Sequence, residues 1–196
     1  MLDAFAARPL RFASCALVLA LLAASARGDT PAGAHLFELK SGTLTYSVRH
    51  KLHEVKGTTA KLEGRALVQP DGSVRVQVRA KVASFDSGNA NRDGHMREVT
   101  HELQHPYVTV RGTLSGVALP LADPAEKLLQ ATVELNGERQ AVPVQVKVSP
   151  EGAFIRARLS FSISLDAFKV SRPELLLIKV EDQVKLEGEL VFEETK

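Results

Sequence analysis

The sequence predicts an all-β protein, a single antiparallel barrel of about eight strands with one short helix that plugs an end. Three observations lead to this fold class. Apolar and polar residues alternate with a period of two along several segments. Turn signals rich in Gly, Pro, Asn and Asp separate these segments at short intervals. Only residues 92–104 have helical character. Many short alternating strands with few helices are typical of a barrel or a sandwich.

The alternation is clearest in three segments, of which the first places Leu44, Tyr46 and Val48 on one face. The second covers 74–80 and the third covers 184–192. Five further strands are expected at 61–68, 107–117, 129–135, 142–148 and 153–164. Their connections carry hairpin signals at 69–72, at Asn136-Gly137 and at 150–152. Closure into a barrel would remove exposed edges, and an open two-sheet sandwich is the competing architecture.

The one helical segment has recognisable end signals. Asn91 or Asp93 is expected to cap its start, because a short side-chain oxygen accepts a hydrogen bond from a free amide group there. Pro106 is expected to end it. A second short turn is predicted at 124–129. Small residues on the inward faces, such as Ala66 and Gly188, are compatible with an apolar tunnel and also with a filled core.

The N-terminus has the pattern of a secretory signal peptide over residues 1–26. Arg8 and Arg11 precede an apolar run, which ends in Ala24-Ser25-Ala26. Cleavage after Ala26 leaves 27–196 as one domain. A transmembrane anchor is the alternative, but it needs about 20 apolar residues, more than this run provides. The expected location is therefore periplasmic or secreted, without a membrane-spanning segment.

Charge and cysteine content exclude several classes of function. The full chain has 25 Lys and Arg against 23 Asp and Glu, and removal of Arg8, Arg11 and Asp3 leaves 23 against 22. A chain so close to neutrality lacks the concentrated basic surface that nucleic-acid binding needs. The single cysteine, Cys15, leaves with the signal peptide, so neither a disulfide nor thiol chemistry is expected.

The segment NRDGHMR, residues 91–97, carries the candidate catalytic side chains. One interpretation makes His95 a base oriented by Asp93, or a metal ligand beside His101 and His105. Asp93 and His95 are two positions apart, however, and do not share a helical face. Pro106 interrupts any helix that would align His101 with His105, and no nucleophile motif or metal-ligand spacing occurs. The sequence therefore predicts no enzyme, no metal site and no cofactor.

A structural interpretation of the same segment is favoured. Arg92 and Asp93 are expected to hydrogen-bond to the backbone where strand becomes helix. His95 is expected to add a hydrogen bond at this lid. The helix would then act as a plug.

Three segments carry a resemblance to a known family. They are TYSVRHKLHEVKGTTAKLEGRALVQPDG (45–72), VASFDSGNANRDGHMREVTHELQHPYVTVRG (82–112) and FSISLDAFKVSRPELLLIKVEDQVKLEGEL (161–190). In the second, Arg92-Asp93-x-His95-Met96, a short helix, a Pro and an alternating strand follow in order. The chain resembles the YceI-like family, exported bacterial proteins with a lipocalin-like barrel. The resemblance implies a cavity that binds long-chain amphiphiles such as polyisoprenoids, fatty acids or their amides, and it does not imply catalysis.

The predicted ligand is therefore apolar or amphiphilic, bound inside the barrel for carriage or sequestration. Lys169 and Arg172 lie near the expected mouth, where they would meet an anionic head group or merely form a solvated rim. A metal-dependent hydrolase built on the histidines and a stress-related barrel with a filled core are the alternatives. A homodimer is left open. The candidate lining residues are chosen because the alternation along a strand turns them inward, or because of their position in the chain. They are Phe85, Met96, Leu103, Phe154, Phe161, Phe168 and Leu176.

Overall fold

The computed structural model describes residues 32–50, 53–172, 174–175 and 178–195. The predicted signal peptide and the candidate Leu176 lie outside these residues. The strands are β1 (His35–His50), β2 (His53–Thr59), β3 (Leu62–Val68), β4 (Val74–Lys81), β5 (Tyr107–Leu114), β6 (Ala125–Leu135), β7 (Glu138–Glu151), β8 (Phe154–Ser164), β9 (Glu174–Leu175), β10 (Ile178–Lys179) and β11 (Gln183–Glu194). Helix α1 spans Ala90–Val99, and two short 3₁₀ turns lie at Val82–Ser84 and Asp166–Phe168.

Pairing between the first and the last long strand closes the sheet. β1 runs antiparallel to β11, from Phe37 opposite Glu194 to Val48 opposite Val184. The remaining strands follow in the order β11-β8-β7-β6-β5-β4-β3-β1, and each neighbouring pair is antiparallel. Eight strands therefore form a closed antiparallel barrel. This confirms the predicted fold class and excludes the open sandwich.

The ninth strand of the sheet, β2, extends one end of the barrel. β1 is long enough to pair with two strands on the same side, first with β3 through His35–Glu38 and then with β2 through Leu44–His50. The chain bends between β2 and β3, where the Lys61 amide donates to Thr59 Oγ1 at 3.0 Å. β9 and β10 form a separate two-stranded sheet.

Two of the predicted turns have the backbone geometry that their residues favour. Asn136 and Gly137 have φ values of 52° and 76°, as the tight β6–β7 hairpin requires at both central positions. In the β3–β4 turn, Gly72 has a φ of 76° and its amide donates to Gln69 O at 2.9 Å. The hairpins predicted at these sites are confirmed.

Three predicted element boundaries were wrong. α1 begins at Ala90, capped by Asn89, whose side chain accepts from the Arg92 amide; neither Asn91 nor Asp93 is the cap. The helix ends at Val99, before His101 adopts a φ of 48°, so Pro106 is not what stops it. The turn expected at 124–129 is instead the start of β6.

The core follows the inward positions of the barrel strands. The most deeply buried side chains are Val133, Val144 and Phe168, each about 1% exposed.

Among the described residues, no helix combines the length and the apolar character that crossing a membrane requires.

Candidate functional site

A large chamber lies inside the barrel beneath α1, with a volume of about 490 Å³. We call it the helix-side chamber. Its deep wall consists of buried apolar side chains from four strands and the segment after β4. Its mouth is marked by exposed lining residues on β1, on α1 and after β8. The wall includes Phe85, Val108, Leu135, Ile163, Val184 and Leu186, and the mouth includes Arg49, Arg92, His95 and Ser171.

A second chamber of about 120 Å³ occupies the opposite end of the barrel, and we call it the distal chamber. Its lining includes Phe37, Leu44, Val76, Phe161 and Phe192, and every residue that lines it is apolar. Ala80, near the end of β4, lies between Val78, which lines the distal chamber, and Val82, which lines the helix-side chamber. On β6, Val133 lies in the same way between Leu129 and Leu135. Ala80 and Val133 are both almost completely buried. A layer of side chains therefore separates the two chambers.

Helix α1 is fastened to the segment before it by Arg92 and Asp93. Arg92 Nη2 donates to Ser87 O at 2.6 Å, and its Nε donates to Ser87 Oγ at 3.1 Å. The buried Asp93 carboxylate accepts the Ser87 amide N–H, with nitrogen–oxygen distances of 3.2 and 3.3 Å. We call these contacts the Ser87 latch. They matter because the helix has no strong apolar face, so polar contacts add to the packing of Met96 and Val99 in holding it over the chamber.

Asn136 connects three segments around the helix-side chamber. Its Oδ1 lies 2.7 Å from His101 Nδ1, just beyond the end of α1. Its Nδ2 donates to Phe168 O at 3.0 Å and to Lys169 O at 3.2 Å. The side chain is buried. The sequence identified Asn136 only as a turn residue, because its hydrogen-bond partners lie more than 30 positions away.

Two titratable groups near the mouth have shifted pKa values. Burial raises the pKa of Tyr46, and the negative charge of Asp93 adds to this, so the phenol stays protonated. The Asp166 amide N–H donates to Asp182 Oδ1 at 2.8 Å and holds the pKa of Asp182 below its ordinary value of 3.8. Arg172 binds Asp166 through two nitrogen–oxygen contacts of 2.9 Å each. These polar contacts fix the Asp166–Phe168 turn beside the chamber.

The structure places the candidate lining residues in different surroundings. Phe85 and Met96 line the helix-side chamber, and Phe161 lines the distal chamber. Phe168 is completely buried in its 3₁₀ turn and lines neither. Leu176 lies outside the described residues. The roles of these residues in ligand binding stay predictions.

Leu103 and Phe154 do not face the barrel interior, so their predicted placement needs correction. Leu103 is 89% exposed, because α1 ends before it and the helical phase that would turn it inward is lost. Phe154 is 36% exposed and begins β8, seven positions before the inward Phe161. Residues an odd number apart lie on opposite faces of a strand. Phe154 therefore points outward.

The histidines of the catalytic interpretation have separate surroundings. His95 lines the mouth, with Nδ1 3.6 Å from Glu98 Oε2. His101 bonds to Asn136, whereas His105 packs against Gly137, where an added Cβ would approach its ring to 2.8 Å. Within the part of the chain that the structure describes, no group of three or more His, Cys, Asp or Glu side chains is placed to hold a metal ion.

The family assignment rests on a match over most of the barrel. The model of the YceI-like domain matches residues 37–192. The chain belongs to the YceI-like family. Among curated proteins, none matches it.

Solved structures of low sequence identity share the fold of this YceI-like chain. BcnA of Burkholderia cenocepacia is 20% identical, with a TM-score of 0.63 over 76% of this chain and 95% of that one. A polyisoprenoid-binding domain from Saccharophagus degradans, implicated in plant cell wall breakdown, is 19% identical, with a TM-score of 0.65 over 81% and 98%. The Campylobacter jejuni YCEI protein is 18% identical, with a TM-score of 0.59 over 76% and 90%.

The Ser87 latch leads to a prediction about stability. Asp93→Ala leaves the half-buried Ser87 amide without its acceptor, which is expected to cost about 1–3 kcal/mol and to lower the melting temperature by roughly 3–10 °C. Asp93→Asn retains an oxygen acceptor and should recover part of this loss. Thermal denaturation followed by circular dichroism measures both. Glu98→Ala on the exposed side of the same helix serves as the control and should melt with the parent. An Asp93→Ala protein as stable as the parent would show that the Asp93 contact of the latch contributes nothing.

Proposed function

We propose that this protein is exported and binds one long-chain apolar or amphiphilic molecule inside its barrel, for carriage or sequestration. The helix-side chamber is the observation that carries the proposal. Its wall is apolar, its mouth is polar, and α1 lies across it. Pockets of this kind, with apolar walls and a few polar groups at one end, are typical of sites for small amphiphilic ligands.

The size of the helix-side chamber sets the length of the hydrocarbon chain that a bound ligand can have. An apolar cavity of about 150 Å³ binds benzene, which corresponds to roughly 25 Å³ per carbon atom. At that ratio the chamber of about 490 Å³ holds a chain of about 20 carbons. Each buried methylene contributes about 0.8 kcal/mol, so ten of them contribute about 8 kcal/mol before the cost of association.

Export and family membership support the same proposal from other directions. The signal-peptide pattern of residues 1–26 favours a mature chain that begins at Arg27. The Saccharophagus degradans relative of this fold is described as polyisoprenoid binding.

A hydrolase built on His95, His101 and His105 is not supported by their separate surroundings. A barrel with a filled core is not supported by the volume of the helix-side chamber.

The proposal is tested by mass spectrometry of the protein purified from the cells that naturally produce it. We expect a periplasmic or secreted chain that begins at Arg27, together with an extractable long-chain lipid in near-equal amount. Delipidated protein should then bind hexadecanoate or hexadecanol in a titration. Protein that is consistently empty, and that binds none of these probes after delipidation, would refute a carrier function.

A further inference from the structure

The outer face of β3, β4 and β5 carries an excess of positive charge. The outward positions of these three adjacent strands hold five basic side chains and one acidic side chain. They are Arg65, Arg75, Arg79, Lys81 and Arg111, and Glu63. We call this surface the basic face. It corrects the expectation that a chain close to neutrality has no concentrated basic surface, because a balanced total conceals an uneven distribution.

The charged residues that border the basic face only partly offset it. Three of them are acidic and two are basic, namely Glu38, Asp71 and Glu134, and Lys61 and Arg139. Face and border together hold seven basic and four acidic side chains, a net charge of +3. The opposite wall of the barrel, formed by β8 and β11, holds three basic and three acidic side chains at its outward positions. The barrel is therefore charged unevenly, with its positive side at β3–β5.

Three cations of the basic face are available to a partner. Arg65, Arg75 and Lys81 are exposed, and none of them forms an ion pair or a side-chain hydrogen bond with a described residue. Arg79 is held instead, with its Nη2 2.7 Å from Glu63 Oε2. The free cations lie on two neighbouring strands, on either side of this fixed pair along β4 and across from it on β3.

The basic residues that the sequence places near the mouth are engaged by carboxylates. Lys169 Nζ lies 2.6 Å from Glu138 Oε1, and Arg172 binds Asp166 through two contacts of 2.9 Å. Neither residue supplies free positive charge for a head group. This sets them apart from the three free cations of the basic face.

An exposed apolar side chain lies at the helix-side end of the basic face. Residues 104–106 lie against this end, because they line one surface pocket together with Arg79 and Arg111. Leu103 directly precedes them and is 89% exposed. Glu102, the one carboxylate of this segment, is half-buried and lowers the positive charge there by one, which leaves the surface net positive. An exposed apolar side chain beside free cations is the combination by which proteins bind anionic membranes.

From this arrangement we propose that the basic face docks the protein onto an anionic membrane surface, with Leu103 entering the interface at the helix-side end. The inference rests on the proposed carrier function and names the surface where the ligand is collected or delivered. An extended anionic surface complements cations that are spread over adjacent strands. A nucleic acid would meet the same cations but would offer no apolar environment to Leu103. Docking places the helix-side end beside the bilayer, so an apolar ligand has a short path to the chamber.

Binding to vesicles measures docking directly. The purified protein is mixed with vesicles of pure phosphatidylcholine, or with vesicles of equal parts phosphatidylcholine and phosphatidylglycerol, and bound protein is separated by sedimentation. We expect binding to the anionic vesicles to be at least about tenfold tighter at low salt. Salt at about 0.5 M should release the protein, because screening weakens the attraction between exposed charges.

Substitutions on the basic face test its role. A variant that combines Arg65→Gln, Arg75→Gln and Lys81→Gln loses three free cations and no ion pair, so its fold should be kept. It is expected to bind anionic vesicles about a hundredfold more weakly. Leu103→Ser should weaken the same binding by about fivefold without lowering the melting temperature, since the side chain is exposed.

A charge-matched variant on the opposite wall is the control. Lys147→Gln, Arg158→Gln and Lys185→Gln remove the same charge from exposed positions on β7, β8 and β11. Their combination should bind anionic vesicles within about threefold of the parent, because the charges face away from the membrane. Melting temperatures confirm that each variant is folded.

The outcomes distinguish this inference from the function on which it rests. If the parent binds hexadecanoate in solution but shows no preference for anionic vesicles, docking is refuted while the carrier function stands. If it binds anionic vesicles but neither hexadecanoate nor hexadecanol, the carrier function fails and the basic face stands. If both triple variants lose vesicle binding equally, the placement of docking at β3–β5 is wrong. Tight binding to duplex DNA with none to anionic vesicles would overturn the proposal in favour of a nucleic-acid partner.

Discussion

Val108→Phe is expected to weaken the binding of a long-chain ligand by roughly a hundredfold, with little effect on stability. Val108 is buried on β5 and lines the wall of the helix-side chamber. A phenyl ring at this position enters the chamber and displaces about four methylene groups, which removes about 3 kcal/mol of apolar burial. Filling a cavity does not by itself destabilise a fold, so the melting temperature should stay the same or rise.

Two comparison variants show whether this chamber is the binding site. Leu103→Phe adds an aromatic ring on the exposed surface and should bind as the parent does. Val76→Phe fills part of the distal chamber and should leave binding nearly unchanged, since a chain of about 20 carbons fits the helix-side chamber alone. Affinity is measured by titration of delipidated protein with hexadecanoate. A loss of binding in Val76→Phe, with none in Val108→Phe, would move the site to the distal chamber.

The barrel could be predicted because, in most strands, the alternation of apolar and polar residues along the sequence matches the inward and outward positions of the closed sheet. Leu44, Tyr46 and Val48 alternate with polar residues, and all three line the interior, as the period of a strand requires. Asn136-Gly137 is a strong local hairpin signal, and its positive φ values are those of the turn it predicts. The pairing of β1 with β11 is not a local property. It followed from the general advantage of removing sheet edges.

The start of β6 was missed because its alternation is broken on both faces. Lys127 occupies an inward register position, and its ammonium group leaves the interior by donating to Gly116 O at 2.6 Å. Leu128 occupies an outward position and is 52% exposed. A charged residue facing in and an apolar residue facing out conceal the period of two. Only the long-range contact to Gly116 resolves the conflict.

The candidate site was predicted less well than the fold, for a related reason. The alternation of inward and outward positions along a strand is a local property, and it placed Phe161 in the interior, where this residue lines the distal chamber and not the helix-side chamber. α1 has no strong apolar face, so neither its end nor the direction of Leu103 followed from periodicity. The polar residues that line the mouth are separated widely in sequence, with Arg49 on β1 and Arg92 on α1. Their convergence depends on how the closed barrel places the helix over its own end.

Asn136→Ala is expected to lower stability by about 2–4 kcal/mol, the largest stability effect that we predict for a single side chain. The substitution removes the contacts to His101, Phe168 and Lys169, and it leaves a β-carbon at a φ of 52° without a side-chain hydrogen bond to compensate. A protein of this size should lose roughly 5–15 °C in melting temperature. Because the contacts join the end of α1 to the Asp166–Phe168 turn, bound lipid should also dissociate faster.

Two further substitutions separate the parts of the Asn136 effect. Asn136→Gly tolerates the positive φ and removes only the hydrogen bonds, so it should be less destabilising than Asn136→Ala by about 1 kcal/mol. Gln140→Ala removes one exposed hydrogen bond to Ala167 O and should cost less than about 0.5 kcal/mol. Chemical denaturation gives the free energy of unfolding for each, and dissociation of hexadecanoate gives the retention time. If Asn136→Ala matches Gln140→Ala in both measurements, Asn136 is only a turn residue, and the helix is held over the chamber by the Ser87 latch and the packing of Met96 and Val99.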